Sequence, residues 1–238
     1  MNKLEMKLYE IQQHQEEHDH EYAQLVIPID SSVFIQTKDA DFIIDKKLIG
    51  FIPPNMSHKY NAKDGKKTLL LNIPTHLLKK KDSAKFSNTH YVARDDKLVL
   101  LVSLILNELE TNPESPSLEY LFFFLYDKLV ESKVYKSIDY ISKNYLNDIH
   151  ISELASIEHY NENYYREWFK KQMGVGPTLY IQKLRIEKAK ELLVTTCYSI
   201  TEIAAQVGYN HSSSFNRVFN QHEELNPKEY RNKHSSKT

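Results

Sequence analysis

A five-residue phrase occurs twice in the C-terminal half of this chain: Ile151-Ser-Glu-Leu-Ala155 returns as Ile200-Thr-Glu-Ile-Ala204. The match continues in order, because Tyr165, Phe169, Pro177 and Tyr180 recur fifty residues on as Phe215, Phe219, Pro227 and Tyr230. Repeats of this length mark a supersecondary unit used more than once, and chance does not supply so many matches in order. This part of the chain must be built from two copies of one small motif.

The second copy carries the clearer punctuation. Ser199 and Glu202 have the spacing of a capping box, in which each side chain satisfies the other residue's backbone N–H. Ile200, Ile203 and Ala204 supply one apolar face, and Gly208 stands where a left-handed residue ends the helix. Asn210 or His211 opens the next helix, whose Phe215, Val218 and Phe219 recur at three- and four-residue steps. Asn226, Pro227 and Glu229 start a closing helix. Short helix, glycine turn and second helix make a helix-turn-helix, whose second helix can enter the major groove. In the first copy His150 replaces the capping serine, Glu158 replaces the turn glycine, and Asn161 to Gln172 form the second helix, with Tyr165, Trp168 and Phe169 as its packing face.

A helix from Pro177 to about Thr195 joins the copies. Ile181, Leu184, Ala189 and Leu192 fall on one side at ~100° per residue, so this helix is expected to pack against both units through one face. Nineteen residues at ~1.5 Å each span roughly 28 Å, close to the ~34 Å of one DNA turn. Such a spacer could hold two recognition helices in successive major grooves.

The first half has a different grammar. Six of the eight prolines lie between Pro28 and Pro116. Short β-rich runs follow one another at Leu25–Ile29, Val33–Gln36, Asp41–Ile44, Leu48–Ile52 and Thr68–Ile73, separated by turns such as Thr37-Lys38-Asp39 and Asp64-Gly65. Short strands without helices between them predict an antiparallel sandwich or barrel. From about Asp95 the period becomes helical, with Leu98, Leu101, Ile105 and Leu109 on one face. A second helix, Leu118 to about Lys133, is apolar nearly all round and is expected to be buried on more than one side. The two helices pack on the chain's own sheets, form a seam with a second copy, or do both.

Composition excludes several classes. The longest unbroken apolar block, Leu121 to Tyr126, is far short of the ~20 residues that cross a bilayer. The first ten residues have no apolar core of a signal peptide. Cys197 is the sole cysteine, so there is no internal disulfide or cysteine-based zinc site. A cytoplasmic protein without membrane association is expected. Net charge is −1, yet Val134 onward carries 14 Lys+Arg against 12 Asp+Glu, while Met1 to Lys133 carries 17 against 20. The slight positive excess falls on the half with the repeat, a weak pointer to nucleic acid.

Residues ~134–235 resemble the double helix-turn-helix DNA-binding domain of the AraC/XylS family of transcription regulators. The matching string is Gly174-Val-Gly-Pro177, Tyr180-Ile-Gln-Lys-Leu-Arg185, Ala189, Leu192-Leu193, Ile200-Thr-Glu-Ile-Ala204, Val207-Gly-Tyr209, Phe215-Asn-Arg-Val-Phe219 and Pro227-Lys-Glu-Tyr-Arg231. Two positions depart from the family pattern: Glu167 stands where arginine is frequent, and Glu224 where glycine is usual. Glu167 could accept a bond from cytosine N4 or repel phosphate. The first ~95 residues resemble, more loosely, the cupin-like barrel that serves many members as an effector domain. His18-Asp-His20 and Ile52-Pro-Pro-Asn-Met-Ser-His58 stand at the two cupin motifs. The glutamate expected shortly after His20 is missing, with Gln24 and Leu25 there instead, and Asn55 replaces a turn glycine.

The resemblance implies an α+β multidomain chain: a cupin-like antiparallel β-barrel (1–94), a helical coupling and dimerisation pair (95–133) and an all-α double helix-turn-helix domain (134–238). It implies a sequence-specific transcription regulator, more an activator than a repressor, and not an enzyme. Its partners would be double-stranded DNA, RNA polymerase, a second copy of the chain and a small-molecule effector in the barrel. DNA contacts are expected from the outward, N-terminal side of each second helix: Asn163, Tyr164, Arg166 and Glu167 in the first copy, and His211, Ser212, Ser213, Asn216 and Arg217 in the second. Lys170 and Lys171 are phosphate candidates, and Arg217 suits a guanine or a phosphate. No cofactor is expected. His18, His20 and His58 are nonetheless imidazoles of a type that zinc, iron or nickel accept. The competing readings are a metal-dependent cupin enzyme with an appended DNA-binding domain, and a regulator with no small-molecule input. Trp168 is expected in the core, Cys197 inert, and Lys79-Lys80-Lys81 a solvated loop.

Overall fold

The computed structural model describes residues 3–11, 16–30, 32–62, 66–82 and 86–234, so the expected Asp64-Gly65 turn lies outside the described residues. The chain divides into two compact units, Met1–Tyr135 and Lys136–Thr238. Among the described residues no helix is long and apolar enough to cross a membrane.

The first unit begins with strands β1 (Glu5–Glu10), β2 (Ala23–Pro28), β3 (Val33–Thr37), β4 (Asp41–Ile44), β5 (Leu48–Ile52), β6 (His58–Ala62), β7 (Lys67–Ile73) and β8 (His90–Ala93). They form two antiparallel sheets, ordered β1-β7-β2-β5-β8 and β4-β3-β6. Five strands follow the β-rich runs of the sequence. β1 (EMKLYE), β6 (HKYNA) and β8 (HYVA) fall outside those runs: polar residues interrupt the first two, and the third is only four residues long. The expected barrel is an open pair of sheets: beyond the two ladder systems, the described residues add one isolated antiparallel bridge, His18 to His58.

Helices α1 (Asp96–Thr111) and α2 (Ser117–Glu131) complete this unit. Asp95 caps α1 by accepting from Leu98 N–H at 2.8 Å. Leu98, Leu101, Val102 and Ile105 of α1 and Leu118, Phe122, Leu125, Tyr126 and Leu129 of α2 share one core with Leu25, Ile27, Phe51, Leu69 and Leu71 of the larger sheet. Removing a side chain such as Phe122 from this core should cost ~3–5 kcal/mol. The other side of α2 is open, against expectation, with Tyr120 76% and Phe124 51% exposed. Sequence periodicity could not show this, because an apolar run does not say which side has a neighbour. Lys79, Lys80 and Lys81 are all exposed, as expected, and Lys79 is also tied down: its N–H donates to Tyr126 Oη (2.9 Å) and its Nζ to Asp127 (2.8 Å).

A buried polar row crosses the sheet interior. Tyr60 donates to Gln24, Gln24 to Asn72 (2.7 Å), and Asn72 to Glu5 (2.9 Å). Beside it lie three imidazoles, with ring centroids 4.4 Å apart for His18 and His58 and 4.9 Å for His20 and His58. His58 donates from Nδ1 to the Met56 carbonyl (2.7 Å), which leaves its Nε2 an acceptor that is buried without a hydrogen-bond partner. Burial, aided by the charges His18 and His20 would carry, pushes the His58 pKa down to about 4.

The second unit comprises α3 (Lys136–Asn144), α4 (Ile151–Ile157), α5 (Glu162–Met173), α6 (Pro177–Thr195), α7 (Ile200–Gln206), α8 (Ser212–Glu223) and α9 (Pro227–His234). The Ser199–Glu202 capping box forms, and Asn226 and Glu229 make the same reciprocal pair of 2.9 Å bonds ahead of α9. His150 flanks α4 without a side-chain cap bond. In the first turn the left-handed residue is His159 (φ 61°), not Glu158. Tyr160 N–H returns to the Ala155 carbonyl and His159 N–H to Ser156, repeating the bonds of Tyr209 to Ala204 and Gly208 to Ala205. His159 and Gly208 are thus equivalent, and Asn210 is one extra residue in the second turn. Glu158 instead accepts from the Ser137 N–H at 2.7 Å, at the start of α3.

α6 does not use one face. Its N-terminal half buries Pro177, Tyr180, Ile181 and Leu184, and its C-terminal half Ile186, Ala189, Lys190 and Leu193. The second set is the first displaced by nine residues, or two and a half turns at ~3.6 residues per turn, so the two halves bury opposite sides. Tyr180 meets Phe169 of α5 at 5.7 Å, whereas Ile186, Ala189 and Leu193 join Ile203, Val207, Phe215 and Phe219. Burial alone would lower the Lys190 pKa, but its ion pairs with Glu187 (3.0 Å) and Glu223 (3.2 Å) raise it, so it stays charged and ties the end of α8 to α6.

Two stability predictions follow from unfavourable groups in these units. An unfolded histidine titrates near 6.5, so as pH falls the unfolded chain takes up a proton before His58 does. The first unit should lose stability as pH drops from about 6.5 to about 4. Urea midpoints at pH 7.5 and 5 should differ less for His58→Gln than for the wild type. Glu224 closes α8 at φ 57°, where Gly174 closes α5 at φ 77°. Glu224→Gly should raise unfolding free energy by ~0.5–1 kcal/mol, measured by denaturant titration at pH 7.5.

Candidate nucleic-acid interface

Each second helix is amphipathic because its apolar residues recur every three or four positions. α5 turns Tyr165, Phe169 and Met173 inward, and α8 turns Phe215, Val218 and Phe219 inward. The opposite arc of α5 exposes Asn163, Arg166, Glu167 and Lys170, flanked by exposed Tyr164 and Lys171. On α8 the matching arc exposes Ser213, Asn216 and Arg217. Ser212 is half-buried at its margin, and His211 is exposed but precedes the helix as its N-cap.

The fifty-residue register aligns these arcs position by position. Asn163 corresponds to Ser213, Arg166 to Asn216, Glu167 to Arg217, Lys170 to Asn220 and Lys171 to Gln221. Asn220 and Gln221 are exposed and escaped the sequence reading, although the repeat itself marks them. With its amide turned to donate to the Asn216 and Leu225 carbonyls at 3.2 and 3.1 Å, Asn220 serves the end of its own helix. Gln221 is the stronger addition.

The two arcs differ in charge and capping. Arg166 lies 3.6 Å from Glu162, one turn back, a half-exposed pair of little energetic weight. Glu167 and Arg217 put opposite charges at the same register. Asn161 caps α5 by accepting from Tyr164 N–H at 2.9 Å, whereas His211 makes no side-chain cap bond to α8. Arg217 is near enough to Tyr209 to favour its ionised form, though burial dominates and raises the Tyr209 pKa. Trp168 is half-buried rather than fully in the core, bridging Tyr160 and Tyr165 at 5.5 Å each. Cys197 is exposed, with a free thiol.

The histidines named as metal candidates are brought together, as described above. Among the described residues, however, no group of three or more His, Cys, Asp or Glu side chains is placed to hold a metal ion.

A helix-turn-helix domain model matches residues 154–233. The HTH-type transcriptional regulator YobQ of Bacillus subtilis is 31% identical over 215 residues, covering 90% of this chain and 88% of that protein. The lactose operon transcription activator of Staphylococcus xylosus is 24% identical over 174 residues, covering 67% of this chain and 59% of that one. Among solved structures, the C-terminal domain of AraT, a response regulator from Geobacillus stearothermophilus, is similar at 28% identity. It covers 42% of this chain and 84% of that one, with a TM-score of 0.41. With a relative matched over nine-tenths of the chain and two helix-turn-helix motifs in place, the chain belongs to the AraC-type family of helix-turn-helix regulators and is a DNA-binding regulator of transcription.

Proposed function

We propose that α5 and α8 enter successive major grooves on one face of the DNA and that both read bases. The observation that carries this reading is the pair of exposed arcs in one register, joined by a 19-residue helix whose ~28 Å length approaches the ~34 Å of a DNA turn. Asn163, Tyr164, Arg166 and Glu167 serve the first groove, and Ser213, Asn216, Arg217 and Gln221 the second. Lys170 and Lys171 bind phosphate. His211 and Ser212 sit at the start of α8, where N–H groups without a side-chain cap suit a phosphate oxygen.

In this reading residues 1–94 sense an effector, 95–133 couple it and pair two copies, and 134–238 bind the operator. Pairing is supported by the apolar side chains that α1 and α2 leave in solvent, including Leu100 (71% exposed), Leu104, Tyr120 and Phe124, since such patches favour association. A small molecule would act by its differential affinity for two states of the chain, and the polar row Tyr60–Gln24–Asn72 offers it hydrogen bonds. The chain acts in the cytoplasm without catalysing a reaction. Activation, and with it contact with RNA polymerase, is supported by the similarity to an operon activator.

Selection of genomic fragments by the full-length protein at near-physiological salt tests the core of this reading. It should enrich sites with two short elements about one turn apart; enrichment of a single element would overturn the double reading. On the selected site Arg217→Ala should cost ~1–3 kcal/mol of specific binding and relax the preference at one base pair. Lys170→Ala should weaken binding to all sequences alike and reduce the salt slope by ~1. Fluorescence anisotropy over a salt series measures both.

A further inference from the structure

Arg185 points from the middle of α6 into a place where parts of both motifs meet. Its Nε donates to the Tyr145 carbonyl, its Nη2 to Asn147 and its Nη1 to Gly208, each at 2.7 Å. Tyr145 and Asn147 follow α3, and α3 is fastened to the first motif by the Ser137–Glu158 bond and by Tyr140 Oη donating to Glu153 at 2.7 Å. Gly208 is the left-handed residue in the turn of the second motif, two residues from the end of α7. The guanidinium also lies 5.4 Å from the Tyr209 ring centre.

The contact leaves no slack. A Cβ on residue 208 would stand 2.5 Å from the Leu146 carbonyl oxygen and 2.8 Å from Arg185 Cζ. Glycine is therefore required there for space as well as for its φ of 82°, and the turn of the second motif touches the loop ahead of the first directly. Arg231 makes the comparison useful. From α9 it donates to Leu193 (3.1 Å) and to Tyr198, the carbonyls just ahead of its own motif. Arg185 does the same for the first motif and then adds a bond to the turn of the second.

We propose that Arg185 is a positioning residue that fixes the orientation of α8 relative to α5, and so makes the protein accept two DNA elements at one spacing. A planar guanidinium can serve three divergent carbonyls at once because its donors are spread around a rigid fork. A lysine ammonium offers its donors from one nitrogen on a flexible stem. Arg185→Lys keeps the charge and most of the packing but cannot bridge the loop after α3 to the Gly208 turn in the same way. The proposal rests on the two-groove reading above.

The test uses the full chain and duplexes derived from its selected operator, with the two elements moved apart or together by one to three base pairs. Two base pairs rotate one element by ~70° relative to the other, so the wild type should lose at least about tenfold in affinity for each such duplex. Arg185→Lys should bind the natural spacing more weakly and lose less than about threefold on the altered ones, giving a flattened spacing profile. A parallel drop at every spacing would mark a purely structural role and overturn the proposal. If Arg185→Lys does not hold the wild-type circular dichroism spectrum, Arg185→Gln takes its place. Should neither fold, the proposal fails. A wild-type chain indifferent to spacing would instead sink the two-groove reading, which separates the two failures.

Discussion

The opposed burial of α6 is the constraint on which the DNA-binding unit depends. A helix buried along one stripe could roll or slide against its neighbours, whereas one gripped on opposite sides by two cores has no face left to move along. Pro177, Tyr180, Ile181 and Leu184 commit the first half of α6, and the same pattern nine residues later commits the second to the other motif. Lys190 adds a buried ionic tie from α6 to the end of α8. Breaking such a buried pair from one side costs more than its presence contributes, since it leaves an unpaired charge. The linker is thus a part of both motifs, and a change in either core reaches the other through it.

Much of this unit was legible because its signals are local. The Ser199–Glu202 box, the Asn226–Pro227–Glu229 start and the inward faces of α5 and α8 depend on residues within one or two turns of each other. What sequence reading missed depends on distant partners. Averaging all of α6 into one stripe concealed a face that reverses halfway along. Glu158 was assigned to the turn because the two copies were aligned without the extra Asn210; the correct register gives His159 the left-handed position and frees Glu158 to accept from α3. The three carbonyls held by Arg185 leave no trace in sequence, since any residue carries a carbonyl.

The first unit was legible to a different degree. Strands rich in β-branched residues announced themselves, while β1 and β6, with charges and polar groups alternating, form because neighbouring strands offer ladders: Glu5–Glu10 pairs along Lys67–Asn72, and His58–Ala62 along Val33–Thr37. The histidines at the cupin-like motifs come together because His18 and His58 pair through their backbones. Among the described residues they still do not form a group placed to hold a metal ion.

The arcs on α5 and α8 share a scaffold but not a chemistry. Arg166, Glu167, Lys170 and Lys171 make the first arc strongly charged, with one acceptor among donors, while Asn216, Arg217 and Gln221 make the second mostly neutral. A carboxylate in a groove meets unfavourable phosphate potential and is tolerable only where it finds a donor, of which cytosine N4 is the one the major groove offers from a G·C pair. In the proposed two-groove reading, the lysines one turn further along α5 would offset that repulsion and let the first motif hold Glu167 at the base edges. The exposed arc of the second motif has no such anionic residue to compensate, and in the same reading it would rely on an uncapped helix start and Arg217. On that reading each motif would strike a different balance of phosphate and base contacts, and the rigid connection through α6 and Arg185 would let the stronger one place the weaker.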